Sequence, residues 1–92
     1  MTDAQHAIPN EELWDLAVRH REGWLAFAQR LIQTPSLPGH ESEVASVIQS
    51  EMNALGYDCV WTDKVGNVIG LLRGEGGKTL VFNGHMDVVD PG

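Results

Sequence analysis

The sequence predicts an α/β fold, with two N-terminal helices followed by a three-stranded mixed sheet. Three observations predict it. Apolar residues recur at helical spacing in two stretches, residues 10–34 and 40–55. β-favouring residues then gather on either side of a cluster of turn residues at 63–67. Last, the apolar run Leu80-Val81-Phe82 leads directly into polar chemistry at His85 and Asp87.

Taken in order, residues 1–9 read as a loose arm. Asn10 precedes Glu11 and Glu12, so its side chain can accept from first-turn amides while the acids complement the positive helix end. Leu13, Leu16, Ala17, His20, Trp24, Phe27, Ala28 and Leu31 then fall on one stripe, which predicts a single long amphipathic helix. Gly23 weakens its middle and Thr34-Pro35 ends it, because the residue before proline avoids the α region. On that stripe His20 and Trp24 are expected to pack.

Residues 36–39 form a loop by composition. A second helix starts at about 40 or 41, where His40 is placed to cap. It carries Val44, Ile48, Met52 and Leu55 on one face, and Gly56 provides its left-handed stop. Strands at 57–62 and 68–72, joined by the short 63–67 turn, predict an antiparallel hairpin with Trp61 in the core. Residues 79–83 predict a third strand. Its apolar centre lacks alternation, as expected for a strand covered on both faces. Two helices and three strands cover both faces poorly, so the scaffold reads as part of a larger domain.

The composition narrows the function. At 92 residues the chain is at most one small domain with a marginal core. Its formal net charge of -7 repels phosphate backbones and anionic bilayers, so nucleic acid and membrane surfaces are not expected partners. A single cysteine, Cys59, allows no intrachain disulfide and is read as a structural thiol. With no secretory signal and no membrane-length apolar run, the expected location is cytoplasmic.

Two constellations invite chemistry. Gly77-Lys78-Thr79 suggests a phosphate loop, but position 72 is Leu where that loop needs glycine. A strand, not a helix, is expected to follow the Thr. The residues at 74–78 therefore read as a turn. His85 and Asp87 are better placed, since residues i and i+2 of an extended chain share a side about 6–7 Å apart at Cα. There an imidazole can ligate a metal while the carboxylate orients the ring. A hydrogen-bonded histidine at a strand end is the plainer reading of the same spacing.

The run Asn83-Gly84-His85-Met86-Asp87-Val88-Val89-Asp90-Pro91-Gly92 closely resembles the first metal-binding motif of the dinuclear-zinc peptidase and deacylase family. That family includes aminoacylases, glutamate carboxypeptidases, acetylornithine deacetylase and succinyl-diaminopimelate desuccinylase. Thr34-Pro35-Ser36, Gly39-His40-Glu41 and Gly66-Asn67-Val68 resemble its upstream motifs in their usual order, so the resemblance covers roughly residues 25–92. It implies that the chain is the N-terminal portion, residues 1–92, of a metallopeptidase-type catalytic domain.

By this resemblance His85 is a zinc ligand and Asp87 is the catalytic-site acid that orients it. The complete family site holds two zinc ions and hydrolyses a small peptide or an N-acyl amino acid. The bridging aspartate, the general-base glutamate and the remaining ligands have no counterpart here. His6, His20, His40 and Asp90 lack ligand spacing with His85, and Asp90 is read as capping a turn before Pro91. Zinc-dependent amide hydrolysis is therefore expected of the full-length family. The chain alone is expected neither to turn over nor to bind zinc tightly. The alternative is a stand-alone α/β interaction module or subunit, self-associating through exposed sheet edges. Trp14 lies off the stripe, where exposure is expected.

Overall fold

A computed structural model describes residues 8–90. The arm expected at 1–9 lies mostly outside these residues, as do His6, Pro91 and Gly92. The described fold is α/β, with helices α1 (Asn10–Arg19), α2 (Arg21–Gln33) and α3 (Ser42–Ala54) followed by strands β1 (Cys59–Thr62) and β2 (Val68–Leu71).

The expected single long helix is broken at His20, whose φ of -98° and ψ of 16° depart from the helical basin. The last carbonyls of α1 lack partners within their own helix. One of them, on Ala17, accepts the Trp24 indole N–H at 2.7 Å. This bond draws Trp24 back across the junction and leaves it 48% exposed, not packed as its stripe position suggests. His20 is exposed as well, and Asn10 is the first helical residue, not the cap. Pro9 takes the cap position, and its carbonyl accepts from the amides of Glu12 and Leu13.

At the far end of α2 the Thr34 hydroxyl donates to the Arg30 carbonyl at 2.6 Å, closing the last turn where Pro35 forbids another. Arg30 also donates from Nη1 to Glu51 Oε2 at 3.4 Å, a half-solvated pair that joins α2 to α3. The α3 helix begins at Ser42 with Glu41 in the cap position, so His40 does not cap it. Val44 and Ala45 on its inner face are the buried apolar residues of the described chain, together with the polar Ser36. Ile48 and Met52 are half-buried, and Leu55 is exposed. Gly56 stops the helix with φ +83°, a backbone state that costs a residue with Cβ about 1–2 kcal/mol.

The hairpin forms as expected. β1 and β2 pair antiparallel, with Cys59 opposite Leu71, Val60 opposite Gly70, Trp61 opposite Ile69 and Thr62 opposite Val68. Gly70 lets the sheet lie close on α3. A Cβ there would stand 2.6 Å from Met52 Sδ and 2.7 Å from the Tyr57 ring. Trp61 points away and is 44% exposed, not in the core, while Cys59 is half-buried with a free thiol.

The third strand does not form. The sheet has two strands, and Leu80, Val81 and Phe82 are extended without strand pairing and 79%, 78% and 89% exposed. A run apolar on both faces needs neighbours on both edges and cover on both sides. The described residues supply neither. The radius of gyration, 16.0 Å, exceeds the about 12 Å of a compact domain of this length, in keeping with the small core.

Candidate functional site

Three stretches that are distant in sequence converge on one open groove of about 530 Å³. The loop before α3 gives Gly39 and Glu41, and the first turns of α3 give Ala45 as part of the floor. The β1–β2 loop gives Gly66 and Asn67, and the segment after residue 83 gives His85 and Asp87.

Each stretch is held by its own bonds. Glu41 turns back to accept the Gly39 amide at 3.0 Å, which fixes the entry to α3. In the β1–β2 loop, Asp63 Oδ1 accepts the amides of Val65 at 3.0 Å and Asn67 at 2.9 Å. Its Oδ2 accepts the Asn67 side-chain amide, also at 2.9 Å. The Asn67 side-chain bond, then its backbone amide, and then those of Val65 and Gly66 favour the charged form. They hold the Asp63 carboxyl below its ordinary value against an opposing desolvation that outweighs either of the last two bonds. The third stretch is tied down by the Val88 amide, which donates to the buried Ser36 carbonyl at 2.9 Å.

The structure brings His85 and Asp87 into contact. Nδ1 of His85 lies 3.1 Å from Asp87 Oδ1 and 3.0 Å from the Asp87 main-chain carbonyl. Carbonyl and ionised carboxylate oxygens only accept, so these two bonds assign the ring proton to Nδ1. In the neutral ring Nε2 then keeps its lone pair. The His85 side chain is 85% exposed and that of Asp87 44%, so Nε2 is open to an incoming ligand.

His20 and His40 do not line this groove. Among the described residues no three His, Cys, Asp or Glu side chains converge as a metal-binding set. A catalytic zinc takes about three protein ligands, so His85 fits one position of such a site and the described residues do not complete it. Glu41 and Asn67 share the groove although the sequence suggested no role for their side chains. Their only advance signal was membership of the upstream motifs.

Comparison with known proteins adds a lineage. Over 65 residues the chain is 38% identical to a candidate LysW-lysine/LysW-ornithine hydrolase of Pyrococcus abyssi, covering 71% of this chain and 19% of that protein. It is 38% identical over 61 residues to the LysW-lysine hydrolase of Deinococcus radiodurans, covering 66% and 16%. With the succinyl-diaminopimelate desuccinylase of Paracoccus denitrificans the identity is 34% over 65 residues, covering 68% and 17%. The chain thus spans about a sixth to a fifth of the length of these curated relatives. No family model matches it, and no solved structure matches significantly.

Proposed function

Over the segment it shares with these relatives the chain belongs to the dinuclear-zinc peptidase and deacylase family, and on that premise we propose that it contributes part of the metal site of an amide hydrolase. His85 is one zinc ligand through Nε2, and Asp87 orients the ring through Nδ1. The observation that carries this reading is the paired contact at Nδ1, which leaves Nε2 of the neutral ring with its lone pair. When bound, zinc would supply Lewis-acid activation of water and stabilise charge developing on the amide carbonyl.

The chain's own contribution is orientation. Asp87 fixes the tautomer and the ring plane, and the Val88–Ser36 bond fixes the backbone that presents both. On this reading the other ligands and the general base come from polypeptide outside the described residues, among which no metal-binding set gathers, and the chain alone does not turn over substrate. A free thiol at Cys59 fits work in a reducing compartment such as the cytoplasm. Among the described residues no helix is long and apolar enough to cross a membrane. The substrates named for the relatives, LysW-lysine and succinyl-diaminopimelate, put N-acylated amino acids first among those to assay.

Zinc titration by calorimetry, with a parallel assay on succinylated amino acids, tests both halves of the reading. The expected result is weak zinc binding that His85→Ala removes, and no turnover. Tight stoichiometric binding or turnover by the chain alone would overturn the partial-site reading. Zinc that leaves the His85 ring resonances unmoved would overturn its role as a ligand.

A further inference from the structure

The α1 helix is amphipathic, yet none of its residues is buried. Of the other helices and strands only α2 comes near it. Leu13 is 49% exposed and Leu16 37%, and Trp24 continues this apolar surface across the junction. Such a stripe needs a cover.

The charges beside the stripe say what kind. Glu12 and Arg19 stand seven residues apart, close to two full helical turns, on the same flank of Leu13, Leu16 and Ala17. Both are exposed, and neither forms an ion pair among the described residues. The helix is thus acidic at its start and basic at its end along one edge.

The geometry points to a second copy of this chain as the cover, with the two α1 helices antiparallel about a two-fold axis between Asp15 and Leu16. In that register each Glu12 lies level with the other copy's Arg19, so one contact produces two ion pairs. Leu16 meets Leu16, and Leu13 meets Ala17, on the buried seam. Opposed helix dipoles favour the same orientation. A parallel pair would set Glu12 against Glu12 and Arg19 against Arg19, which is repulsive. The surface is small, so the dimer is weak and reversible.

Sedimentation equilibrium on the 92-residue chain, from micromolar to millimolar concentration, tests the pairing. The wild type dimerises reversibly, and more weakly at high salt. Glu12→Arg and Arg19→Glu each turn both ion pairs into like-charge contacts and weaken the dimer about tenfold. The double variant Glu12→Arg/Arg19→Glu restores it. An equimolar mixture of the two single variants forms a heterodimer that neither forms alone, and far-UV circular dichroism shows that all four chains keep their helix content. A wild type that stays monomeric overturns the pairing. So does a dimer indifferent to these charges, which would place the contact elsewhere, or a failure of both the double variant and the mixture to associate.

Discussion

The Val88 amide donates to the Ser36 carbonyl at 2.9 Å, and through this bond the loop after α2 anchors the segment that carries His85 and Asp87. Ser36 is 1% exposed, so its carbonyl has little water to replace a lost donor. Val88→Pro removes that donor and should cost about 1–3 kcal/mol. Val88→Ala keeps the N–H and trims a side chain that is 50% exposed, so it should be nearly neutral. Urea unfolding of the pair decides the point, and equal losses would mean that the side chain, not the bond, does the anchoring.

At Gly70 the sheet comes close to Met52 of α3. The missing Cβ of this glycine leaves room for Met52 and Tyr57. Gly70→Ala forces the sulfur and the ring aside and should destabilise by about 1–3 kcal/mol, seen as a lower denaturation midpoint. An unchanged midpoint would show that both side chains move at no cost.

Asp63 should give the β1–β2 loop a pH dependence. Its folded pKa lies below the ordinary 3.8, so the carboxylate's contribution is complete above that value. The contribution disappears as pH falls through the depressed one. Carboxyl chemical shifts should titrate with a midpoint below 3.8, and the Val65 and Asn67 amides should move with them. In Asp63→Ala that acid transition of the two amides should vanish. A midpoint at the ordinary value would refute the depressed pKa.

Asp87 should govern the His85 tautomer. In long-range proton–nitrogen spectra the neutral ring should show Nδ1 protonated and Nε2 bare. Asp87→Ala keeps the main-chain carbonyl contact but loses the carboxylate, so it should raise the fraction of the Nε2-protonated form. In a metal-loaded full-length relative of this chain the same substitution should lower zinc affinity about 10–100-fold. A wild-type ring protonated on Nε2 would contradict the assignment.

Local relationships were legible before the structure. The hairpin followed from β-favouring residues flanking a turn whose Asp63 and Asn67 bond to each other. The left-handed stop at Gly56 is a property of one residue, and the exposure of Trp14, at 71%, followed from its place off the stripe. The His85–Asp87 contact spans two residues, so extended backbone alone brings the pair together.

Relationships that need a second segment were not legible. Residues 79–83 have the composition of a strand, but a strand exists only with a partner. The break at His20 was hidden because helical spacing continues through it, and the Trp24–Ala17 bond that bridges it is tertiary. Nothing in the motif Thr34-Pro35-Ser36 announces that the Ser36 carbonyl will hold the candidate site from behind.

Leu80, Val81 and Phe82, three large apolar side chains in succession turned to water, also set the terms on which this chain can persist in a cell. Holding chaperones and degradative proteases engage stretches of this kind on unfinished proteins. The free polypeptide should therefore be short-lived unless that run is covered soon after synthesis, and its abundance becomes a race between burial and disposal.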